Sequence, residues 1–162
     1  MNKQVLEAKQ NLVNEIVNKA KDSNAIVVVE YRSLSVSKIQ EIRRALRAEE
    51  AELCVYKNSL VERANKELGH AELDEVLNGP NAIIFSKDVV KGPKVIAKYA
   101  KRLGDSLKIK GAILEGQFAD EAKVKEVAKL PGKDGLISMF LSCLQAPVRQ
   151  FACTVKAVAD AK

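Results

Sequence analysis

The sequence predicts a layered α/β domain, with a small, mostly antiparallel or mixed sheet flanked by helices, followed by a C-terminal helix. Three observations carry that expectation. Short β-branched runs alternate with segments whose apolar residues recur at three- and four-residue steps. The chain of 162 residues is 47% hydrophobic but only 4% aromatic, so its core must be built mainly from Val, Ile, Leu and Ala. A final apolar stripe runs to the chain end, beyond two proline-marked joints.

The elements follow in order. Val5, Leu6, Val13, Ile16, Val17 and Ala20 recur at helical spacing over residues 3–21, which predicts an amphipathic first helix. Asp22, Ser23 and Asn24 break it, and the β-branched run over 25–29 reads as a buried strand. Hydroxyls between 33 and 37 offer caps for a second helix set by Val36, Ile39, Ile42 and Leu46. A short strand over 53–56 runs into Lys57, Asn58 and Ser59, where a third helix begins with Leu60, Val61 and Ala64. The turn residues Asn78, Gly79, Pro80 and Asn81 precede a strand over 82–85. Helical spacing returns over 89–103, and 107–113 is the last strand candidate. After Gly116 the chain reads as helical, with Val124, Val127 and Leu130 on one face, until Leu130-Pro131-Gly132 stops it. Ala146-Pro147 then opens the last stretch. The expected division is therefore an α/β domain over 1–130, a hinge and connecting helix over 131–146, and a C-terminal helix over 147–162.

Charge permits a polyanionic partner without naming one. The formal net charge is +6, and its distribution is uneven: residues 1–86 hold 12 Lys+Arg against 13 Asp+Glu, residues 87–162 hold 15 against 8. Catalysis finds little support, because no Ser/His/Asp set, GxxxxGK loop or GxGxxG turn is present. Cys54, Cys143 and Cys153 form neither a CxxC pair nor an even disulfide set, and His70 is the only histidine, so no metal or cofactor is expected. This cysteine usage fits a reducing, cytosolic setting. With no apolar signal core at the start and no apolar run of bilayer length, a soluble protein without a membrane partner is expected.

Five constellations invite a functional reading, each beside a plainer one. Arg32 and Ser33 precede a helix on which Arg43 and Arg47 share a face, near enough to reach neighbouring phosphates. The plainer reading is a solvated face neutralised by Glu41, Glu49 and Glu50. Lys57, Asn58 and Ser59 at a helix start suit an RNA backbone, or simply cap the helix. The turn at Gly79 and Pro80 allows close backbone approach, or is only tight. The series Lys87, Lys91, Lys94, Lys98, Lys101 and Arg102 reads equally as an RNA contact or as solubilising charge. The strongest physical signal is the stripe of Val148, Phe151, Ala152, Val155, Val158 and Ala159, which either folds back on its own domain or docks a partner.

At these residues a family resemblance emerges. The order Val-Val-Glu-Tyr-Arg-Ser-Leu-Ser-Val, Ile-Arg-Arg-Ala-Leu-Arg and Val-Tyr-Lys-Asn-Ser-Leu resembles the bacterial L ten family of large-subunit ribosomal proteins. Asn78-Gly79-Pro80-Asn81-Ala82-Ile83, Ile109-Lys110-Gly111-Ala112, Leu130-Pro131-Gly132 and Leu144-Gln145-Ala146-Pro147 fall in the same order, so the resemblance spans essentially the whole chain. It implies a non-enzymatic protein of the cytoplasmic ribosome that binds large-subunit ribosomal RNA at the stalk base beside ribosomal protein L eleven. It implies also a mobile C-terminal helix anchoring acidic L seven/L twelve dimers, which recruit translational GTPases. Carried over, RNA contact falls on Arg32, Ser33, Arg43, Arg47, Lys57, Asn58 and Ser59, and stalk docking on the stripe from Val148 to Ala159. Ser33, Ser59 and Asn81 depart from the Gly, Thr and Thr common in that family. The alternative is an RNA-binding regulator of its own messenger with no stalk role.

Overall fold

The computed structural model describes residues 3–160, in two units, Met1–Lys129 and Leu130–Lys162. In the first, helices α1 (Lys3–Lys21), α2 (Val36–Ala48), α3 (Asn58–Leu68), α4 (Lys91–Leu103) and α5 (Glu121–Lys129) alternate with strands β1 (Ala25–Glu30), β2 (Ala51–Cys54), β3 (Asn81–Ser86), β4 (Lys108–Leu114) and β5 (Gln117–Asp120). Short 3-10 segments, Ala71–Val76 and Gly104–Ser106, precede β3 and β4. The strands form one sheet in the order β2-β3-β1-β4-β5, and every pairing is antiparallel.

Strand alternation sends successive side chains to opposite faces, and each face has its own helices. Val27 and Val29 pack with Ile42 and Leu46 of α2, Ile96 of α4 and Val124 of α5. Ile26 and Val28 pack with Val13, Ile16, Val17 and Ala20 of α1 and Val61 and Ala64 of α3. Because β1 lies in the middle and is covered on both sides, all its positions from Ala25 to Val29 are apolar. Burying a side chain of this size contributes about 1.5–3 kcal/mol, so the two-sided core dominates stability. The expected core contributions of Val5 and Leu6 lie outside the described side chains.

A bulge shifts the β1–β4 register: Val28 pairs with Gly111 and Val29 with Ile109, leaving Lys110 without a partner on β1. Bulges re-aim the extra residue. Here Lys110 Nζ meets Glu30 at 3.2 Å and donates to the carbonyl of Asn78, bracing the turn before β3.

Two sequence expectations are corrected. The chain does not pass directly from Gly116 into a helix, because Gln117–Asp120 first forms β5. Glu115 and Gly116 both have positive φ (50° and 81°), the geometry of a two-residue hairpin turn, and Glu115 N–H donates to Asn24 O at 2.9 Å. Nor does Pro147 begin a helix. In the second unit, α6 (Lys133–Asp160) runs continuously for 28 residues with Pro147 inside it. A proline there removes one intrahelical hydrogen bond, but the good helix formers around it (Leu144, Gln145, Ala146, Arg149 and Gln150) carry the helix through. Pro131 and Gly132, by contrast, do stand at a boundary, with Gly132 O accepting from Leu136 N–H in the first turn of α6.

Candidate nucleic-acid interface

Helix α2 has two polar flanks on either side of its buried stripe of Ile42 and Leu46. On one flank, Glu41 accepts hydrogen bonds from Tyr99 Oη and Arg102 Nη1 on α4, both at 3.3 Å, while Glu49 pairs with Lys91 at 3.5 Å. On the other flank stand Arg43 and Arg47. Two of the carboxylates that could have neutralised the arginines, Glu41 and Glu49, therefore serve α4, while Glu50 stays exposed and lines a neighbouring depression with Arg47. Among the described residues no ion pair involves Arg43 or Arg47.

The arginines line a depression whose other wall is α1 and β2: Glu15, Lys19, Glu52, Cys54, Val55 and Tyr56. Lys19 Nζ sits 3.1 Å from Glu15, 3.2 Å from Glu52, 3.5 Å from Tyr56 Oη and 3.8 Å from Cys54 Sγ. Burial works against its charge, but hydrogen bonds to Glu15 and Glu52 hold the ammonium above its ordinary pKa. The hydrogen bond from Lys19 holds the Glu15 carboxyl below its usual range. Burial pushes both the Cys54 thiol and the Tyr56 phenol up. This network locks the edge strand to α1, and Lys19, being occupied, is not a free cation for a ligand.

Beyond Tyr56 the same surface continues into an open concavity of about 490 Å³ lined by Tyr31, Val55, Tyr56, Lys57, Asn58, Ser59, Glu62 and Gly79 to Asn81. Lys57 is the residue before α3, and neither it nor its neighbours make a side-chain capping hydrogen bond. Capping therefore does not explain these residues. The N–H groups of Leu60 and Val61 donate to Lys57 O at 2.9 and 3.3 Å, which leaves those of Asn58 and Ser59 at the start of the first turn, a favourable position for a phosphate. Lys57 and Ser59 are exposed. Asn58 braces the fold as well, since its Nδ2 donates to Leu77 O at 2.6 Å and Gly79 O at 3.0 Å, tying the turn to α3 and leaving its Oδ1 for a ligand.

Arg32 and Ser33 line neither depression. Both are exposed in the connection from β1 to α2, where Ser33 has φ 63°. That left-handed backbone is one glycine adopts without cost. The seven residues thus fall into three adjoining groups: Arg43 with Arg47, Lys57 to Ser59, and Arg32 with Ser33. Val55 and Tyr56 line both depressions and connect the first two groups. Sequence reasoning left Tyr31, Tyr56 and Asn81 out of the site, although aromatics interleaved with basic residues were visible there. Asn81 is 4% exposed, and neither its Nδ2 nor its Oδ1 has a partner.

The second unit carries a separate surface. Val148, Phe151, Ala152, Val155, Val158 and Ala159 are all exposed on α6, and the apolar stripe begins earlier than expected, at Ile137, Phe140, Leu141 and Leu144. Among the described residues, no helix is long and apolar enough to cross a membrane.

An α/β domain with a cationic, shallowly concave edge and an attached amphipathic helix defines a protein that works by binding. The family model described as Ribosomal protein L10 matches residues 4–101, and the Ribosomal protein uL10 C-terminal region matches 130–162. Large ribosomal subunit protein uL10 of Bacillus cereus (strain B4264) is 48% identical over 159 residues, 98% of this chain and 95% of the relative. The same protein of Bacillus anthracis (strain CDC 684 / NRRL 3495) matches at the same identity and coverage. The chain belongs to the ribosomal protein uL10 family. It is accordingly a structural protein of the large subunit of the cytoplasmic ribosome and not an enzyme.

Proposed function

We propose that the chain binds large-subunit ribosomal RNA at the stalk base through Arg32, Ser33, Arg43, Arg47, Lys57, Asn58 and Ser59. On this reading residues 1–130 form the RNA-binding domain, beside ribosomal protein L eleven. Residues 131–146 connect it to a docking segment, 147–162, that anchors acidic L seven/L twelve dimers and so recruits translational GTPases. The observation that carries the RNA half is the division of α2: Glu41 and Glu49 pair with α4, and the arginines stand unpaired at the edge of a concavity ending in an uncapped helix N-terminus. Unpaired guanidinium groups and backbone N–H groups on one surface are what phosphate contacts require. The exposed stripe of α6 carries the second half, since a large apolar patch on one helix face marks a protein interaction site.

Mass analysis of the native complex tests both halves. An acidic dimer in stoichiometric association supports the stalk assignment, and loss of that dimer alone on removal of 147–162 locates it. A chain that binds large-subunit RNA but captures no acidic dimer would refute the stalk role.

A further inference from the structure

Helix α4 bears a second basic surface, separate from the arginines of α2. Its 13 residues include Lys91, Lys94, Lys98, Lys101 and Arg102 and no acidic residue. Two of the five cations are taken up, Lys91 by Glu49 just past the end of α2 and Arg102 by Glu41 within it. Lys94, Lys98 and Lys101 remain, all exposed, on the face opposite the buried Ile96. Among the described residues none of the three has an ion-pair partner.

We infer that Lys94, Lys98 and Lys101 form a second phosphate-backbone contact, engaging a stretch of RNA apart from the one at Arg43 and Arg47. The inference rests on the RNA-binding reading above. At about 1.5 Å rise per residue the three ammonium groups span roughly 10 Å of helix, enough for successive phosphates of one strand. Neighbouring packed helices lie about 8–10 Å apart, so the α4 lysines and the arginines on the far flank of α2 cannot share one phosphate. They therefore contact different phosphates of a folded RNA. A protein partner fits this face less well, because the lysine row has no large apolar residue within it to anchor an interface, and lysine is depleted from interface cores. A diffuse polyanion needs only the charge.

The test is a salt titration of the full chain with transcribed large-subunit ribosomal RNA, comparing the unmodified protein with Lys94→Gln/Lys98→Gln/Lys101→Gln and with the corresponding triple arginine variant. The glutamine variant is expected to lower the magnitude of the salt slope by about 2 and to weaken binding on the order of a hundredfold at 0.1 M salt. The arginine variant should retain both. Unchanged slope and affinity in the glutamine variant, while Arg43→Gln/Arg47→Gln weakens binding, would overturn this inference and leave the RNA reading standing. Lost capture of an acidic protein with unchanged RNA affinity would overturn it in favour of a protein partner. If the unmodified chain does not bind the RNA at all, the RNA reading fails, and the inference with it.

Discussion

Glu41 on α2 reaches Arg102 on α4 at 3.3 Å, and this pairing turns the acidic flank of α2 away from the arginines on its other side. An exposed pair of this kind contributes little to stability, about 0–1 kcal/mol. Its consequence is electrostatic: two of the three acids expected to neutralise Arg43 and Arg47, Glu41 and Glu49, are engaged elsewhere. Replacing both arginines by Ala should therefore weaken RNA binding and reduce the magnitude of the salt slope by about 0.7 to 0.9 for each phosphate no longer neutralised. A titration at four or five salt concentrations reads this directly, and an unchanged slope would make the arginines a solvated face.

Asn58 joins α3 to the turn before β3 through two hydrogen bonds, each worth about 0.5–1.5 kcal/mol. Asn58→Ala should cost about 1–3 kcal/mol, seen as a lower urea midpoint, more than the roughly 1 kcal/mol expected had it been a cap. RNA affinity should fall as well, because Lys57 and Ser59 share that turn's concavity. Ser59→Ala separates the effects: it should weaken RNA binding with an unchanged midpoint. Affinity that stays normal in both variants would remove this helix start from the interface.

Much of this architecture was legible in the sequence, and the exceptions have physical causes. Periodicity located α1 and the central strands because their burial is one-sided or complete. It missed β5 because four residues, of which only Ala119 is fully buried, carry too little pattern, and because Glu115-Gly116 is not a usual hairpin turn pair. Spacing placed Arg43 and Arg47 on one face but could not say whether the neighbouring glutamates faced them. That depended on α4, about 50 residues away in sequence. The polarity of Asn58 is visible in the sequence, but its two carbonyl acceptors come from a turn that only the fold brings near.

Ser33 holds a left-handed conformation (φ 63°) that costs an L-residue about 1–2 kcal/mol relative to glycine. Part of that gain is offset by the greater freedom of glycine in the unfolded chain, about 0.5–1 kcal/mol. Ser33→Gly should thus stabilise the domain by roughly 0.5–1 kcal/mol, raising its melting temperature by a few degrees. A lower melting temperature would show that the Ser33 side chain contributes more than its backbone costs.

The three free cysteines should differ in reactivity. Burial raises the Cys54 pKa, which reduces its thiolate fraction, and the side chain lies under Lys19 and Tyr56. Cys143 and Cys153 are exposed on α6. Maleimide labelling at neutral pH followed by peptide mapping should modify Cys143 and Cys153 first. Cys54 should react faster as pH rises towards its elevated pKa. Early labelling of Cys54 would mean that the network around Lys19 opens readily.

Helix α6 is the element whose stability most needs a partner. Its 28 residues span roughly 42 Å at about 1.5 Å per residue, and Pro147 inside it costs on the order of 3 kcal/mol relative to a good helix former. A partner that buries Val148, Phe151, Val155 and Val158 would gain about 1.5–3 kcal/mol from each before the cost of association. Arg149 and Lys156 add positive charge that should speed encounter with an acidic dimer more than it tightens the complex. The apolar stripe should therefore decide affinity. Val155→Asp, or deletion of 147–162, should abolish capture of purified stalk dimers and leave the RNA titration unchanged. The upstream residues Ile137, Phe140, Leu141 and Leu144 make the deletion informative, since they stay exposed on the remaining helix. If the deleted chain still captures dimers and Phe140→Asp abolishes that capture, the docking surface lies before Pro147 and the assignment to 147–162 is wrong. If deletion removes RNA binding as well and lowers the melting temperature, the terminal helix belongs to the folded domain and is not a docking arm.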